Sequence, residues 1–224
     1  MTEVKICGIT SLEDAFSACD SGADALGFIF FEKSPRYVSA KEAREIIRRL
    51  PGEIGKVGVF VNQEIHAVWK IYEHCGLDFI QLHGDESAEY AKAFPPSILI
   101  KAFAPKKESD LRGLNFFRTK AFLVDSRERN QYGGTGELSN WELAAVIQKT
   151  HAVILSGGLN PDNVEAAIAS VSPEAVDVSS GVEIRPGKKD QRKVRLFVEK
   201  VRAVHRREGK GIFASERCRE KAKV

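Results

Sequence analysis

Residues 3–30 read EVKICGITSLEDAFSACDSGADALGFIF, and the order of elements in this stretch decides the fold. A short apolar run, "VKIC", stops at Cys7-Gly8. Thr10 or Ser11 then stands as a helix cap ahead of a segment that closes on Gly22, and "ADALGFIF" follows as a second apolar run. The spacing predicts a strand, a helix and a second strand. A helix of this length carries the chain back across the sheet, so the two strands lie parallel.

The same grammar recurs along the chain. The strand candidates are "EVKICGI", "ADALGFIF", "GKVGVFV", "DFIQLH", "SILIKAF", "KAFLVD", "HAVILS" and "EAVDVS", eight runs rich in Val, Ile, Leu and Phe. Helical segments lie between them. Ser39 with Glu42 three places on has capping-box spacing before a stop at Pro51-Gly52, and "NQEIHAVWKIYEHCG" repeats apolar residues at Ile65, Val68, Trp69, Ile71 and Tyr72. "LSNWELAAVIQKT" and "NPDNVEAAIASV" follow the same pattern.

Eight βα units in a chain of 224 residues imply an α/β protein built as a single parallel eight-stranded (β/α)8 barrel of the TIM type. An open doubly wound sheet is the alternative. Its first βα turn carries G-x-G-x-x-G when it binds a dinucleotide, and "CGITSLED" lacks that pattern.

Composition agrees with one ordinary globular domain, at 43% hydrophobic and 29% charged residues. No apolar leader precedes Cys7 and no run of 18 apolar residues occurs, which predicts a cytoplasmic protein with no membrane partner. Cys7, Cys19, Cys75 and Cys218 show no C-x-x-C spacing, so neither a zinc site nor a disulfide framework is expected. The net charge of +3 is unevenly placed: residues 185–224 carry 15 Lys/Arg against 5 Asp/Glu, whereas residues 1–184 carry 19 against 26. This divides the chain into a catalytic barrel over residues 1–206 and a basic tail over 207–224 with the composition of a disordered segment. The tail is expected to be dispensable for catalysis.

In a barrel, function sits on the loops after the strand carboxyl ends. Those positions hold Cys7-Gly8, "FFEKSPRYVS", Asn62, His83-Gly84, Asp125 with "SRERNQYGGTG", "SGGLN" and "SSGVE". Because the outer face of each strand is covered by helices, Val4 and Ile6 face outward and Lys5 and Cys7 inward. The same parity turns Leu123 and Asp125 inward. A thiol and a carboxylate thus face one cavity mouth.

Each of these residues has a plainer reading. A lone buried Cys is most often a small hydrophobe, and Asp125 could cap its own loop. Arg36 in "SPRYV" is either solvated or a bidentate carboxylate clamp stiffened by Pro35. His83 is open between acid-base work, substrate contact and a satisfied core role. No carboxylate cluster or H-x-H accompanies it, so no metal is expected. Glycines at two particular strand ends, Gly157-Gly158 and Ser180-Gly181, mark the loops where barrels hold phosphate. They predict a phosphorylated small-molecule substrate.

Taken together, "KICGIT", "GFIFFEKSPRYV", "VGVFVN", "QLHGDE", "LVDSRERNQYGGTGE", "LSGGLNPDNV" and "VDVSSGVE" resemble, in order and spacing, the phosphoribosylanthranilate isomerase family of tryptophan biosynthesis, over about Val4 to Pro186. The resemblance implies an isomerase that needs no cofactor. Its reaction is the Amadori rearrangement of N-(5-phosphoribosyl)anthranilate to 1-(2-carboxyphenylamino)-1-deoxyribulose 5-phosphate. It puts the general base on Cys7 and the general acid on Asp125. It also puts the anthranilate carboxylate on Arg36, with His83 as a further substrate contact, and the phosphate on Gly157, Gly158, Ser180 and Gly181. A free thiol titrates at about 8.5 and a free Asp at about 3.9, so these roles would need Cys7 lowered and Asp125 raised, and Lys5 on the same face could help the thiolate. The remaining alternatives are another sugar-phosphate isomerase or lyase on the same barrel, and a non-catalytic anion-binding scaffold. Nucleic acid is not an expected partner, and a monomer or a homodimer is.

Overall fold

A computed structural model describes residues 1–125, 140–204 and 211–213. Eight parallel strands close into a barrel in sequence order, β1 (Glu3–Cys7), β2 (Ala25–Ile29), β3 (Gly55–Phe60), β4 (Phe79–Leu82), β5 (Leu99–Phe103), β6 (Ala121–Val124), β7 (Val153–Leu155) and β8 (Ala175–Val178). Closure comes from β1 pairing with β2 on one side, Cys7 opposite Gly27, and with β8 on the other, Lys5 opposite Asp177. Closing the sheet leaves no unpaired edge.

The helices are α1 (Leu12–Asp20), α2 (Ala40–Ile47), α3 (Ile65–Cys75), the single turn α4 (Ala88–Ala91), α5 (Trp141–Gln148), α6 (Val164–Val171) and α7 (Gln191–Ala203). Their starts follow from local chemistry. The Ser11 hydroxyl accepts the Asp14 N–H at 3.2 Å, and Ser39 and Glu42 form the reciprocal capping box. Between β5 and β6 the chain runs instead as a 3-10 stretch over Glu108–Phe116. No helix among the described residues is long and apolar enough to cross a membrane.

Strand parity separates two cores. Val4, Ile6, Leu26, Phe28, Ile80, Leu82, Phe122, Val124 and Val176 pack outward against the helices, while Ala25, Val57, Phe79, Ile100, Leu123, Ile154 and Ala175 fill the barrel. Two features were not read from the sequence. One is a hairpin after β8, formed by β9 (Glu183–Arg185) and β10 (Lys188–Lys189) around Pro186-Gly187.

The other concerns the segment assigned to the tail. Ile212 and Phe213 are 3% and 1% exposed and belong to the interior core. The Phe213 ring meets Phe79 edge to face, with centroids 5.9 Å apart, and the Glu3 carboxylate accepts the backbone N–H groups of Ile212 and Phe213. A boundary at residue 206 therefore leaves out residues that close the barrel floor. Their signal is the lone apolar "GIF" in a basic stretch, which composition averaged away.

Candidate active site

Cys7 is the last residue of β1, faces into the barrel and is 6% exposed. Two glycines make its place. A Cβ on Gly27, across the β1–β2 pair, would stand 2.7 Å from the Cys7 sulfur, so a residue without a side chain leaves the thiol its volume. Gly8 turns the chain away with a φ of +76°. A Cβ there would meet the Arg36 side chain at 2.7 Å and the Ser179 hydroxyl at 3.0 Å. Arg36 thus lies across the turn that follows Cys7.

Beneath the thiol, the fully buried Lys5 ammonium bonds to Asp177 Oδ1 at 2.8 Å, and Asp177 Oδ2 accepts the Ser156 hydroxyl at 3.2 Å. Burial pushes the Cys7 thiol up, and Asp177 adds to this; Lys5 and Lys189 act the other way. The role of base needs this thiol ionised, which Lys5 on the same face favours. Desolvation outweighs the two ammonium groups, so the neutral thiol is favoured.

Asp125 directly follows β6, and its N–H donates to the Phe103 carbonyl at 3.0 Å. In a closed ring of eight strands, β6 lies three places from β1, so Asp125 and Cys7 stand at one mouth on separated arcs. The Gln81 amide donates to His83 Nδ1 at 2.8 Å, which leaves the hydrogen on Nε2 to reach Asp125 Oδ2 at 3.1 Å. His83, expected to contact substrate, contacts the candidate acid. Its loop is fixed from below: the Glu86 carboxylate accepts N–H groups of Asn62 and Gly84 at 2.8 and 2.9 Å, and the buried Lys101 ammonium pairs with Glu86 at 3.0 Å. The loop "SRERNQYGGTG" lies outside the described residues.

Arg36 is 8% exposed and gripped by Glu183. Its Nε lies 2.9 Å from Oε1 and its Nη2 2.8 Å from Oε2. This pair occupies the side edge of the guanidinium and leaves the end-on Nη1/Nη2 edge for a second carboxylate. Burial works against an ionised Glu183, but the bonds from Arg36 and Lys189 outweigh it and hold the carboxyl below the usual range.

The two glycine-bordered loops touch. A Cβ on Gly181 would stand 1.9 Å from the Leu159 carbonyl oxygen, so the turn Ser180–Val182 packs directly on the loop carrying Gly157 and Gly158. Those two glycines take φ values of +84° and +65°. All four expected phosphate residues are half-buried and adjacent. Among the described residues no group of three or more His, Cys, Asp or Glu side chains is placed to hold a metal ion.

Sequence reasoning missed three partners of this site. Asp177 was visible as a carboxylate inside an apolar strand. Glu183 and Lys189 flank Pro186-Gly187, a turn signal between two short runs.

A closed βα-barrel with an inward thiol and carboxylate at the strand carboxyl ends, a clamped arginine and paired glycine loops after β7 and β8 belongs to the class of acid-base enzymes acting on small phosphorylated substrates. The family can be named within that class. The family model described as N-(5'phosphoribosyl)anthranilate (PRA) isomerase matches residues 4–200, and the chain belongs to this family. It is 52% identical over 202 residues to N-(5'-phosphoribosyl)anthranilate isomerase of Syntrophus aciditrophicus, spanning 90% of this chain and 88% of that one. With the enzyme of Thermotoga neapolitana the identity is 49% over 206 residues, 91% of this chain and all of the other. The crystal structure of phosphoribosyl anthranilate isomerase from Thermotoga maritima superposes with a TM-score of 0.84 at 42% identity, covering 91% of this chain and 100% of that one. A further structure, of the isomerase in complex with reduced 1-(o-carboxyphenylamino)-1-deoxyribulose 5-phosphate, gives 0.81 at 41% identity, with the same coverage.

Proposed function

We propose that Cys7 and Asp125 are the base and the acid of the isomerisation that this family performs in tryptophan biosynthesis, the Amadori rearrangement of N-(5-phosphoribosyl)anthranilate. The observation that carries the assignment is that Cys7 at the end of β1 and Asp125 just after β6 are both buried at the mouth holding Arg36 and the two glycine loops. Asp125 delivers a proton to the furanose ring oxygen, the ring opens, and the C1–N bond becomes a protonated Schiff base. That cation makes the C2 hydrogen acidic. Cys7, as thiolate, removes it to give an enolamine, which takes a proton at C1 as its C2 hydroxyl gives one up, and so becomes the neutral aminoketone product. Every proton taken is returned, so no external oxidant or reductant enters.

The remaining residues position the substrate. The end-on edge of Arg36 suits the anthranilate carboxylate, and the N–H groups around Gly157, Gly158, Ser180 and Gly181 suit the phosphate. His83 acts on the reaction by orienting Asp125. The protein works in the cytoplasm as a monomer or homodimer. The test is turnover of freshly prepared N-(5-phosphoribosyl)anthranilate by the purified chain, followed by the change in anthranilate fluorescence. Loss of the signal only at the spontaneous rate overturns the assignment.

A further inference from the structure

Lys189 is fully buried, and its ammonium is shared among three parts of the site. It donates to the Cys7 carbonyl at 2.6 Å, to the Glu183 carboxylate at 2.8 Å and to the Ser179 carbonyl at 3.3 Å. An ammonium has three donors, and here they go to the end of β1, the hairpin strand β9 and the residue just before the Ser180-Gly181 turn. The hairpin is anchored in turn. The Lys189 N–H donates to Asp14 on α1 at 3.2 Å, and the Lys188 ammonium bonds to the same carboxylate at 2.9 Å.

A lysine taken wholly out of water costs several kcal/mol unless charge and hydrogen bonds replace the solvent. One carboxylate supplies the charge, but Glu183 also holds Arg36 along its side edge. The two carbonyls belong to the residue carrying the thiol and to the residue entering the phosphate turn. One cation therefore ties together three groups that must keep fixed separations around a single sugar.

We propose that Lys189 is a positioning residue for the isomerisation: it sets the Arg36 clamp through Glu183 and the Cys7 thiol through the Cys7 carbonyl. The proposal rests on the reading of Cys7 as base and Arg36 as carboxylate clamp. It assigns Lys189 no contact with substrate. Its consequence is that loss of the ammonium changes both constants, KM through Arg36 and kcat through Cys7, and that the KM part requires Arg36 to be present.

The experiment is a double-mutant cycle on the full chain, with N-(5-phosphoribosyl)anthranilate as substrate and a thermal melt to verify folding. Lys189→Met is expected to raise KM about tenfold and lower kcat at least tenfold. In an Arg36→Ala background the same change is expected to move KM less than twofold while still lowering kcat. A general loosening of the fold would raise KM in both backgrounds. If Lys189→Met does not fold, Glu183→Gln replaces it, keeping shape and removing the charge that joins the two cations. Its expected effect is a several-fold rise in KM that vanishes in the Arg36→Ala background. Wild-type constants for folded Lys189→Met, or an effect on KM that persists without Arg36, overturn the proposal. Arg36→Ala with an unchanged KM overturns instead the assignment of Arg36 to the substrate carboxylate, so the two failures are told apart.

Discussion

The Glu3 carboxylate, at the start of β1, accepts the backbone N–H of Phe213 at 3.2 Å, so the first strand of the barrel holds down a residue ten places beyond the end of its last helix. Gly211 permits the approach, since a Cβ there would stand 2.2 Å from Glu3 Oε1. Phe213 then lies against Phe79 and beside Gly55 at the amino-terminal end of the strands, far along the barrel axis from Cys7.

Truncation after Arg206 is accordingly expected to lower stability while leaving the chemistry intact. Losing a buried Phe and a buried Ile removes on the order of 3–5 kcal/mol of burial. The melting temperature falls by several degrees or more, but kcat/KM measured well below the melt stays within about threefold of the full chain. Phe213→Ala alone reproduces most of the shift. A truncated chain that melts like the full one shows that the floor contact contributes nothing.

The phosphate loops make a different prediction. Inorganic phosphate is expected to compete with substrate at millimolar concentration, raising apparent KM and leaving kcat unchanged. Gly181→Asp does not isolate this effect, because any Cβ at that position strikes the Leu159 carbonyl and displaces the loop. Gly181→Ala, which adds no charge, is therefore expected to weaken phosphate inhibition by about tenfold as well. If Gly181→Ala inhibits normally and only Gly181→Asp fails, charge and not loop packing governs the site.

How far the sequence carried these conclusions depended on whether the relevant signal was periodic or solitary. The eight strands, and the inward facing of Cys7 and Asp125, were legible because a barrel strand alternates between two environments and each run was long enough to show it. Caps at Ser11 and Ser39 were legible for the same local reason. The clamp of Glu183 on Arg36 spans 147 residues and the bond from Lys189 to Cys7 spans 182. No local pattern encodes such contacts, and a two-residue strand has no period to read. The ionisation of Cys7 was not legible for another reason: Lys5 was visible, but the depth of burial that opposes it was not.

Asp125→Asn keeps the shape of the carboxylate and its hydrogen bond from His83 but cannot deliver a proton to the ring oxygen. The expected loss in kcat is about a thousandfold, near 4 kcal/mol of barrier, with KM little changed. His83→Gln, which retains a donor near Asp125, is expected to be much milder, about tenfold in kcat. Equal losses for the two would move the acid from Asp125 to His83.

Cys7 supplies the sharpest test because its geometry and its ionisation predict different things. Cys7→Ala is expected to cut kcat at least about a thousandfold with substrate affinity nearly kept, and Cys7→Ser not to restore it, since an alcohol is a far weaker base than a thiolate at neutral pH. The base form is the thiolate, and burial raises the thiol above its ordinary value, so the competent fraction grows as pH increases toward that raised value. Alkylation of the free enzyme, which reports the thiolate alone, is therefore expected to quicken steadily with rising pH through neutrality and to level only beyond the ordinary thiol range. Iodoacetamide should inactivate the enzyme along the same curve, and bound product should protect it. An alkylation rate that levels below pH 7 means that Lys5 and Lys189 outweigh desolvation at the sulfur. Should Cys7→Ala retain more than a tenth of wild-type kcat with chemistry limiting, the thiol is core filler held by Gly27 and the base is another group on the same rim, with His83 the first to replace.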